Sequence, residues 1–392
     1  MKKTLYAFKH LGFWKSTAYL ILYPLRFLRK ALHKLDDIHD EIRWHISLYS
    51  FIEKSGKITL PVLSSDLKKG IEHKFAPFQQ KINEDWFRFY VFKNGKESSD
   101  FIPDNILFRV IIPALNNMSM LSYYEDKNHF DDIMGGFLQP KTLLRYIRGR
   151  FYDEYYSLID KKEVYRTLNG YEEQWVIKPT NESGGGRNIY YGNAESRTIY
   201  LNSKPHSLSA LTTLYKHGFI IQEKINQTDL LAAFHPHSLN TFRIITLRLN
   251  NKIHCLSAIV KFGTKGIMTD NSGDRGVWVG VTDDGYMKKY GFSHTEGRIK
   301  KHPDSRLSFE GVHLTFFEKA VGFAKKIHHR LIHFDLVSWD IAINTNKNPV
   351  LIEYNLSYQG TINSQIANGP LFGELTDDVL EEVARRKNRY QQ

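Results

Sequence analysis

At 392 residues, with 42% apolar and 14% aromatic content, the chain has length for about two or three domains and material for a core, which excludes wholesale disorder. Its one cysteine, Cys255, excludes an internal disulfide framework or a Cys-rich zinc module and suits a reducing cytoplasm. The net charge of +12 is unevenly placed: eight of those excess charges lie within residues 1–35, so a nucleic-acid groove spread over the fold is not expected.

Residues 1–35 combine that charge with Phe13, Trp14, Tyr19, Tyr23, Phe27 and several leucines. The apolar run is shorter than the roughly 18 residues of a spanning helix. Arg26-Phe27-Leu28-Arg29-Lys30 stands where a signal peptide would have small residues. Two readings remain open: an interfacial helix on an anionic leaflet, or a basic helix packed on its own protein. Leu32, Leu35, Ile38, Ile42, Ile46 and Tyr49 recur at helical steps, which predicts a helix over 30–55, and 56–130 reads as helical. From about 172 the texture becomes β-rich: Gln174–Lys178, Asn188–Gly192, Phe219–Ile225, Phe242–Leu249, Lys252–Phe262, Leu336–Ile343 and Val350–Asn355. Helices are expected at Leu208–Lys216, Phe316–His329 and 376–390, the last capped by Thr376. Strands and helices interleave without regular alternation, which points to an α+β fold.

The most informative segment is 336–355. Two β-rich runs flank a turn-forming stretch, Asn344–Pro349, and read as a hairpin. Pairing symmetric about the turn sets Asn344 opposite Pro349 and Asp340 opposite Glu353, with Asn355 on the same face. Opposed carboxylates repel, and a divalent cation removes the conflict. Mg²⁺ takes oxygen ligands from one or two carboxylates and completes its shell with phosphate and water, and Asn355 could add an amide oxygen. A solvent-facing hairpin with incidental acids is the alternative.

A second segment, Val176-Ile-Lys-Pro-Thr-Asn-Glu-Ser-Gly-Gly-Gly-Arg-Asn188, places Lys178 at a strand end before Gly184, Gly185 and Gly186. Such glycines let backbone N–H groups approach a ligand, and the lysine offers phosphate a point charge. By itself such a loop is more often just a hairpin turn. It is neither a Walker A loop nor a dinucleotide fingerprint.

Lys178 with Gly184–Gly186, then Gln222-Glu-Lys-Ile225, then Asp340 with Glu353-Tyr-Asn355, resembles in that order the ATP-grasp superfamily. Asp126-Lys-Asn128, Pro140-Lys-Thr142, Gly149-Arg-Phe-Tyr152, Asn240-Thr-Phe-Arg243, Ser338-Trp-Asp340 and Leu351-Ile-Glu-Tyr-Asn355 resemble, more narrowly, the sugar-transfer-associated ATP-grasp family of bacterial surface-polysaccharide genes. The resemblance implies two α+β lobes clamping ATP behind a mostly helical N-terminal region. Residues 1–110 would be that region, 111–230 a pre-ATP segment and nucleotide-clamping lobe, and 231–392 a catalytic, metal-binding lobe. It implies that Lys127 and Lys178 meet the phosphates, that Gly184–Gly186 close over them, and that Glu223 (by side chain or carbonyl) and the Ile225 N–H hold adenine. Asp229 would meet the ribose, and Asp340, Glu353 and Asn355 would hold Mg²⁺.

The implied chemistry is ADP-forming ligation of a carboxylate to an amine or similar nucleophile through an acyl phosphate, in cell-surface polysaccharide synthesis. Arg243 and Arg275 are then candidates for the substrate carboxylate or the tetrahedral oxyanion, since guanidinium forks suit bidentate contacts, with a surface ion pair as the alternative for each. Some relatives place a cation just before the first metal-binding aspartate, where Trp339 stands here, so the transition-state cation is unassigned. The expected partners are a carboxylate substrate such as an amino acid, a sugar or lipid-linked sugar acceptor, and a membrane surface met by residues 1–35, with no nucleic acid. The expected place is the cytoplasm, peripheral to the inner face of the plasma membrane. A phosphotransferase and a nucleotide-binding scaffold in a glycan-assembly complex are the competing functions. His235-Pro-His237 lacks a nearby third ligand and reads as a loop, and Cys255 reads as buried and inert.

Overall fold

The computed structural model describes residues 48–50, 52, 59–78, 82–181, 186–266, 276–293 and 297–390. The basic segment 1–35 and most of the helix expected over 30–55 lie outside the described residues, as do Gly184, Gly185 and Arg275. The chain divides into two compact units, Met1–Gly56 and Lys57–Gln392, and the second carries both sheets. No helix among the described residues is long and apolar enough to cross a membrane.

The second unit begins with helices. Ser64 accepts from the Leu67 amide and caps α1 (Ser65–Phe75), which buries Leu67, Ile71 and Phe75 at steps of four. Phe75 meets Phe87 of α2 (Asp85–Asn94) edge-on at 6.0 Å. Gly95 ends α2 in the left-handed conformation, φ 80°, with its N–H on the Val91 carbonyl. Short helical turns, one of them a π-turn at Leu107–Ile111, continue to Ile133.

Eight strands form the first sheet: β1 (Thr142–Ile147), β2 (Arg150–Tyr152), β3 (Leu158–Ile159), β4 (Trp175–Pro179), β5 (Tyr190–Glu195), β6 (Thr198–Leu201), β7 (Lys204–His206) and β8 (Phe219–Glu223). Their order is β3-β2-β1-β8-β4-β5-β6-β7. One face carries Trp175, Ile177, Phe219 and Ile221 into a core closed by α3 (Lys161–Asn169) and α4 (Leu208–Leu214). Gly192 sits beneath Trp175, where a Cβ would come within 2.3 Å of the indole ring. The helix α5 (Asp229–Phe234), capped by Thr228, leads to the second sheet.

That sheet has seven strands: β9 (Thr241–Leu249), β10 (Lys252–Phe262), β11 (Val277–Val281), β12 (Met287–Ser293), β13 (Gly297–Ile299), β14 (Leu336–Ile343) and β15 (Pro349–Asn355). Their order is β13-β12-β11-β10-β9-β14-β15. Alternation sorts its residues into two faces. Phe242, Ile244, Val260, Val279, Trp339, Ile341 and Tyr354 form the main core. Onto it α6 (Phe317–His328) packs Phe317, Ala320, Ala324 and Ile327, at steps of three and four. Each fully buried large apolar side chain of this kind contributes about 1.5–3 kcal/mol. On the opposite face α7 (Thr361–Asn368) is tied to β10 by Asn368 Nδ2, which donates to Ser257 Oγ at 2.9 Å and to the Ala258 carbonyl at 2.8 Å. The chain closes with α8 (Thr376–Tyr390), over the residues expected for the terminal helix.

The hairpin differs from the symmetric expectation at its tip. Ile343, not Asn344, pairs with Pro349, and Asn344 belongs to the turn, where its side chain accepts from the Asn348 amide at 2.9 Å. A one-residue bulge between Asp340 and Ile341 then shifts the register. Asp340 consequently faces Glu353, and Ser338 faces Asn355.

Candidate active site

The face of the second sheet opposite its core carries Ser338, Asp340, Glu353 and Asn355 together. On the other side of β14, Arg243 of β9 pairs directly with Asp340. Arg243 grips it with both arms: Nε donates to Oδ1 at 3.0 Å and Nη2 to Oδ2 at 2.8 Å. A third group was missed by sequence reading. Lys261 of β10 pairs with Thr241 and therefore shares this face, and its Nζ lies 3.2 Å from Asp340 Oδ1. All three side chains are buried. Burial pushes the Asp340 carboxyl up, but the adjoining Arg243 and Lys261 outweigh it and hold it down to about 2.

Trp339 turns to the other side of the sheet, where it is wholly buried and its Nε1 donates to Thr246 Oγ1 at 2.7 Å. The cations come instead from the two neighbouring strands. The only sequence signal for Lys261 was a lysine within the apolar run Ala258–Phe262. Its partner, about 80 positions away in sequence, depends on non-local strand order.

Arg243 is therefore engaged by a carboxylate of the same chain. It also packs against the entrance to α7. Gly360 caps that helix with φ 69°, and a Cβ there would lie 2.6 Å from Arg243 Nη1. A positive φ and a guanidinium in van der Waals contact both demand glycine at this position.

Lys127 bridges the two sheets. Its amide donates to the Thr180 carbonyl just beyond β4 at 3.0 Å, and its buried ammonium pairs with Glu353 Oε1 at 2.8 Å. Lys178, near the end of β4, is also buried, and no carboxylate lies within ion-pair distance of it among the described residues. Burial, then the nearby charge of Lys127, lowers its ammonium to about 8, with Glu353 opposing. Among the described residues four cationic side chains, Lys127, Lys178, Arg243 and Lys261, thus surround two carboxylates. Such an arrangement favours an anionic ligand.

The hinge strand β8 places its residues less simply. Register sets Gln222 opposite Val176, on the same face as Lys178, and Glu223 opposite Trp175, on the core side. Glu223 Oε1 accepts from the Lys141 amide at 2.9 Å. Alternation thus turns the Glu223 carboxylate to the core side, away from Lys178. Gln222, not assigned from sequence, presents Oε1 as a buried acceptor with no partner among the described residues. No hydrogen bond to the Ile225 amide occurs among the described residues either. Asp229 is exposed in the first turn of α5. Of the glycine run only Gly186 is described, at φ 71°.

The residues suit a hard divalent cation. Among the described residues no three His, Cys, Asp or Glu side chains form a metal-holding group by themselves. An ion held here would draw on one or two carboxylates and take the rest of its shell from phosphate and water. Glu353 is partly exposed, and Lys127 pairs with one of its oxygens. Among the described residues the buried Asn355 Nδ2 has no hydrogen-bond partner, and neither has the buried Ser338 hydroxyl opposite it. Turned over, that amide offers an oxygen to the same space. Asp340 is the most fully engaged of the three.

No curated protein matches the sequence. Among solved structures the chain is similar to an L-amino acid ligase from Bacillus licheniformis (14% identity, TM-score 0.38, 67% of this chain and 49% of that one). It is also similar to the VanG D-Ala:D-Ser ligase from Enterococcus faecalis (12%, 0.40, 67% and 61%) and to a D-alanine–D-alanine ligase from Bacillus anthracis (13%, 0.42, 84% and 97%). It thus spans about half the length of the first and less than two thirds of the second. The profile of the sugar-transfer-associated ATP-grasp family matches residues 109–379, a span that takes in both sheets and the residues gathered around Asp340 and Glu353, and the chain belongs to that family.

Proposed function

We propose that the protein is an ATP- and Mg²⁺-dependent ligase that joins a carboxylate to an amine or similar nucleophile, with release of ADP and phosphate, during cell-surface polysaccharide synthesis. The observation that carries this reading is the pair of buried lysines, Lys127 and Lys178, set near one partly exposed carboxylate, Glu353, beside the cation-bound Asp340. Two ammonium groups held that close together suit a polyanionic ligand. A triphosphate is such a ligand.

A carboxylate is a poor electrophile because its oxygen is a poor leaving group. Its oxygen attacks the γ-phosphorus of ATP, ADP leaves, and the resulting acyl phosphate carries phosphate as the new leaving group. Lys178 and Lys127 hold the phosphates, and the Gln222 amide oxygen and the Glu223 carbonyl accept from the adenine amino group. Glu353 and Asn355, with Asp340, would hold Mg²⁺, which neutralises charge on the phosphates when bound. The amine then attacks the acyl carbon. Arg243 and Lys261, held in place by Asp340, offer fixed positive charge to the tetrahedral oxyanion before phosphate departs. They fill the role that Trp339 leaves vacant. The nucleophile in this reading is carried by a sugar or lipid-linked sugar, the carboxylate by a small molecule such as an amino acid, and the basic aromatic segment 1–35 suits such work at the inner membrane face.

The test is ADP release, screened over amino acids paired with sugar nucleotides and lipid-linked sugars. Glu353→Gln should lower turnover at least about a hundredfold with an unchanged circular dichroism spectrum. Full turnover by that variant would refute the site. ADP with phosphate retained on a single product would make the enzyme a phosphotransferase instead.

A further inference from the structure

Lys127 belongs to neither sheet, yet its placement decides whether a triphosphate meets two ammonium groups or one. Its turn is shaped locally by Asp126, whose carboxylate accepts from the Asn128 amide at 2.9 Å and from Asn128 Nδ2 at 3.0 Å. That Asx turn fixes the shape of the loop, not where it sits. On one side the second sheet holds it. Tyr354 donates to the Tyr124 carbonyl at 2.6 Å, Ser357 Oγ donates to Glu125 at 2.9 Å, and Phe130 stacks on Tyr354 with centroids 4.3 Å apart.

On the other side the first sheet reaches over with two residues that neither the sequence reading nor the proposed chemistry uses. Tyr156, in the β2–β3 connection, donates its hydroxyl to the carbonyl of Asn128, the residue after Lys127, and lies 3.1 Å from Asp131 Oδ1. Arg145 of β1 is wholly buried and pairs through Nη2 with Asp131. Its Nη1 donates to the Asp153 and Glu154 carbonyls at 2.9 and 3.1 Å, and its guanidinium lies 4.0 Å from the Tyr156 ring centroid. Tyr156 adopts φ 63°, unusual for a bulky residue. Asp153 stabilises that bend by accepting from the Tyr155 and Ser157 amides at 2.9 and 2.8 Å. A left-handed tyrosine and a fully buried guanidinium are both costly, and both converge on the single turn that carries Lys127.

We propose that Tyr156 and Arg145 are positioning residues for Lys127, fixing the turn so that its ammonium stays opposite Glu353 and beside Lys178. This rests on the nucleotide reading above, in which Lys127 meets phosphate. The predicted signature is selectivity: the clamp acts on phosphate recognition and leaves nucleoside recognition alone.

The experiment titrates the full chain by calorimetry with MgATP and, separately, with adenosine. Tyr156→Phe keeps the ring under Arg145 and removes only the hydroxyl. It should weaken MgATP about fivefold, the effect of one hydrogen bond, and leave adenosine unchanged. Arg145→Lys should show the same selectivity. In a Lys127→Ala background Tyr156→Phe should have no further effect. Hydrogen–deuterium exchange over residues 124–133 should be faster in Tyr156→Phe. Equal weakening of MgATP and adenosine, or an unchanged MgATP affinity in Tyr156→Phe while Lys127→Ala loses it, overturns the proposal. If the wild-type chain binds no MgATP, the proposed function fails instead. Exchange over 124–133 then decides the clamp: faster exchange upholds it and unchanged exchange overturns it.

Discussion

Replacing Lys178 by methionine should stabilise the protein while destroying its nucleotide site. The lysine is buried without an ion-pair partner among the described residues, and its ammonium is lowered from 10.5 to about 8 by burial and then by Lys127. At about 1.4 kcal/mol per pH unit, this depression corresponds to roughly 3 kcal/mol by which the folded state disfavours the charged form. The folded value lies below the unfolded one, so the unfolded chain binds the proton more tightly. The cost is therefore full below about pH 8, shrinks from there to 10.5, and is absent above. Lys178→Met, of similar length and uncharged, should gain up to roughly 3 kcal/mol at pH 7 in urea unfolding without nucleotide, and less than about 1 kcal/mol at pH 10. The same variant should lose MgATP affinity at least about a hundredfold. A variant less stable than the wild type at pH 7, or a gain indifferent to pH, would show that Lys178 is not held at an electrostatic cost.

Two further outcomes follow from the geometry around Arg243. Asp340→Asn leaves Arg243 and Lys261 without their shared carboxylate and should cost about 3 kcal/mol near pH 6. Because the Asp340 carboxyl is held down to about 2, that contribution is present above its ordinary value of 3.8 and lost as pH falls through about 2. The melting temperatures of variant and wild type should converge over that interval. Gly360→Ala forces a Cβ to 2.6 Å from Arg243 Nη1 at φ 69°. It should cost about 1–2 kcal/mol in unfolding free energy and lower ADP turnover. Unchanged turnover in that variant would mean that Arg243 does not need its present position.

Where structure depends on neighbours in sequence, the sequence was a good guide. β10 and β14 and the terminal helix α8 run over the expected residues, because alternation, turn residues and end charges are local signals. Asp340 opposite Glu353 was legible for the same reason, although the tip is one residue out of register and the bulge restores the pairing. The strands β1 to β3 were not seen. Arg145, Arg148, Gly149 and Arg150 break their apolar pattern, and Arg145 is buried only because a distant turn supplies Asp131. The meeting of Arg243, Lys261 and Asp340 was hidden too, since it needs β10, β9 and β14 to lie side by side across nearly a hundred residues of chain. The turning-away of Glu223 could have been inferred from alternation, had the strand's first residue been known.

The misregistered hairpin tip has a practical corollary. Asp340 takes its station from β9 on one flank as well as from β15 on the other, so its alignment does not rest on the bend alone. The bulge takes up the one-residue offset between the bend and the acid pair. Residues 344–348 therefore offer a point at which a reporter peptide could be spliced in while the business end of the ribbon keeps its spacing.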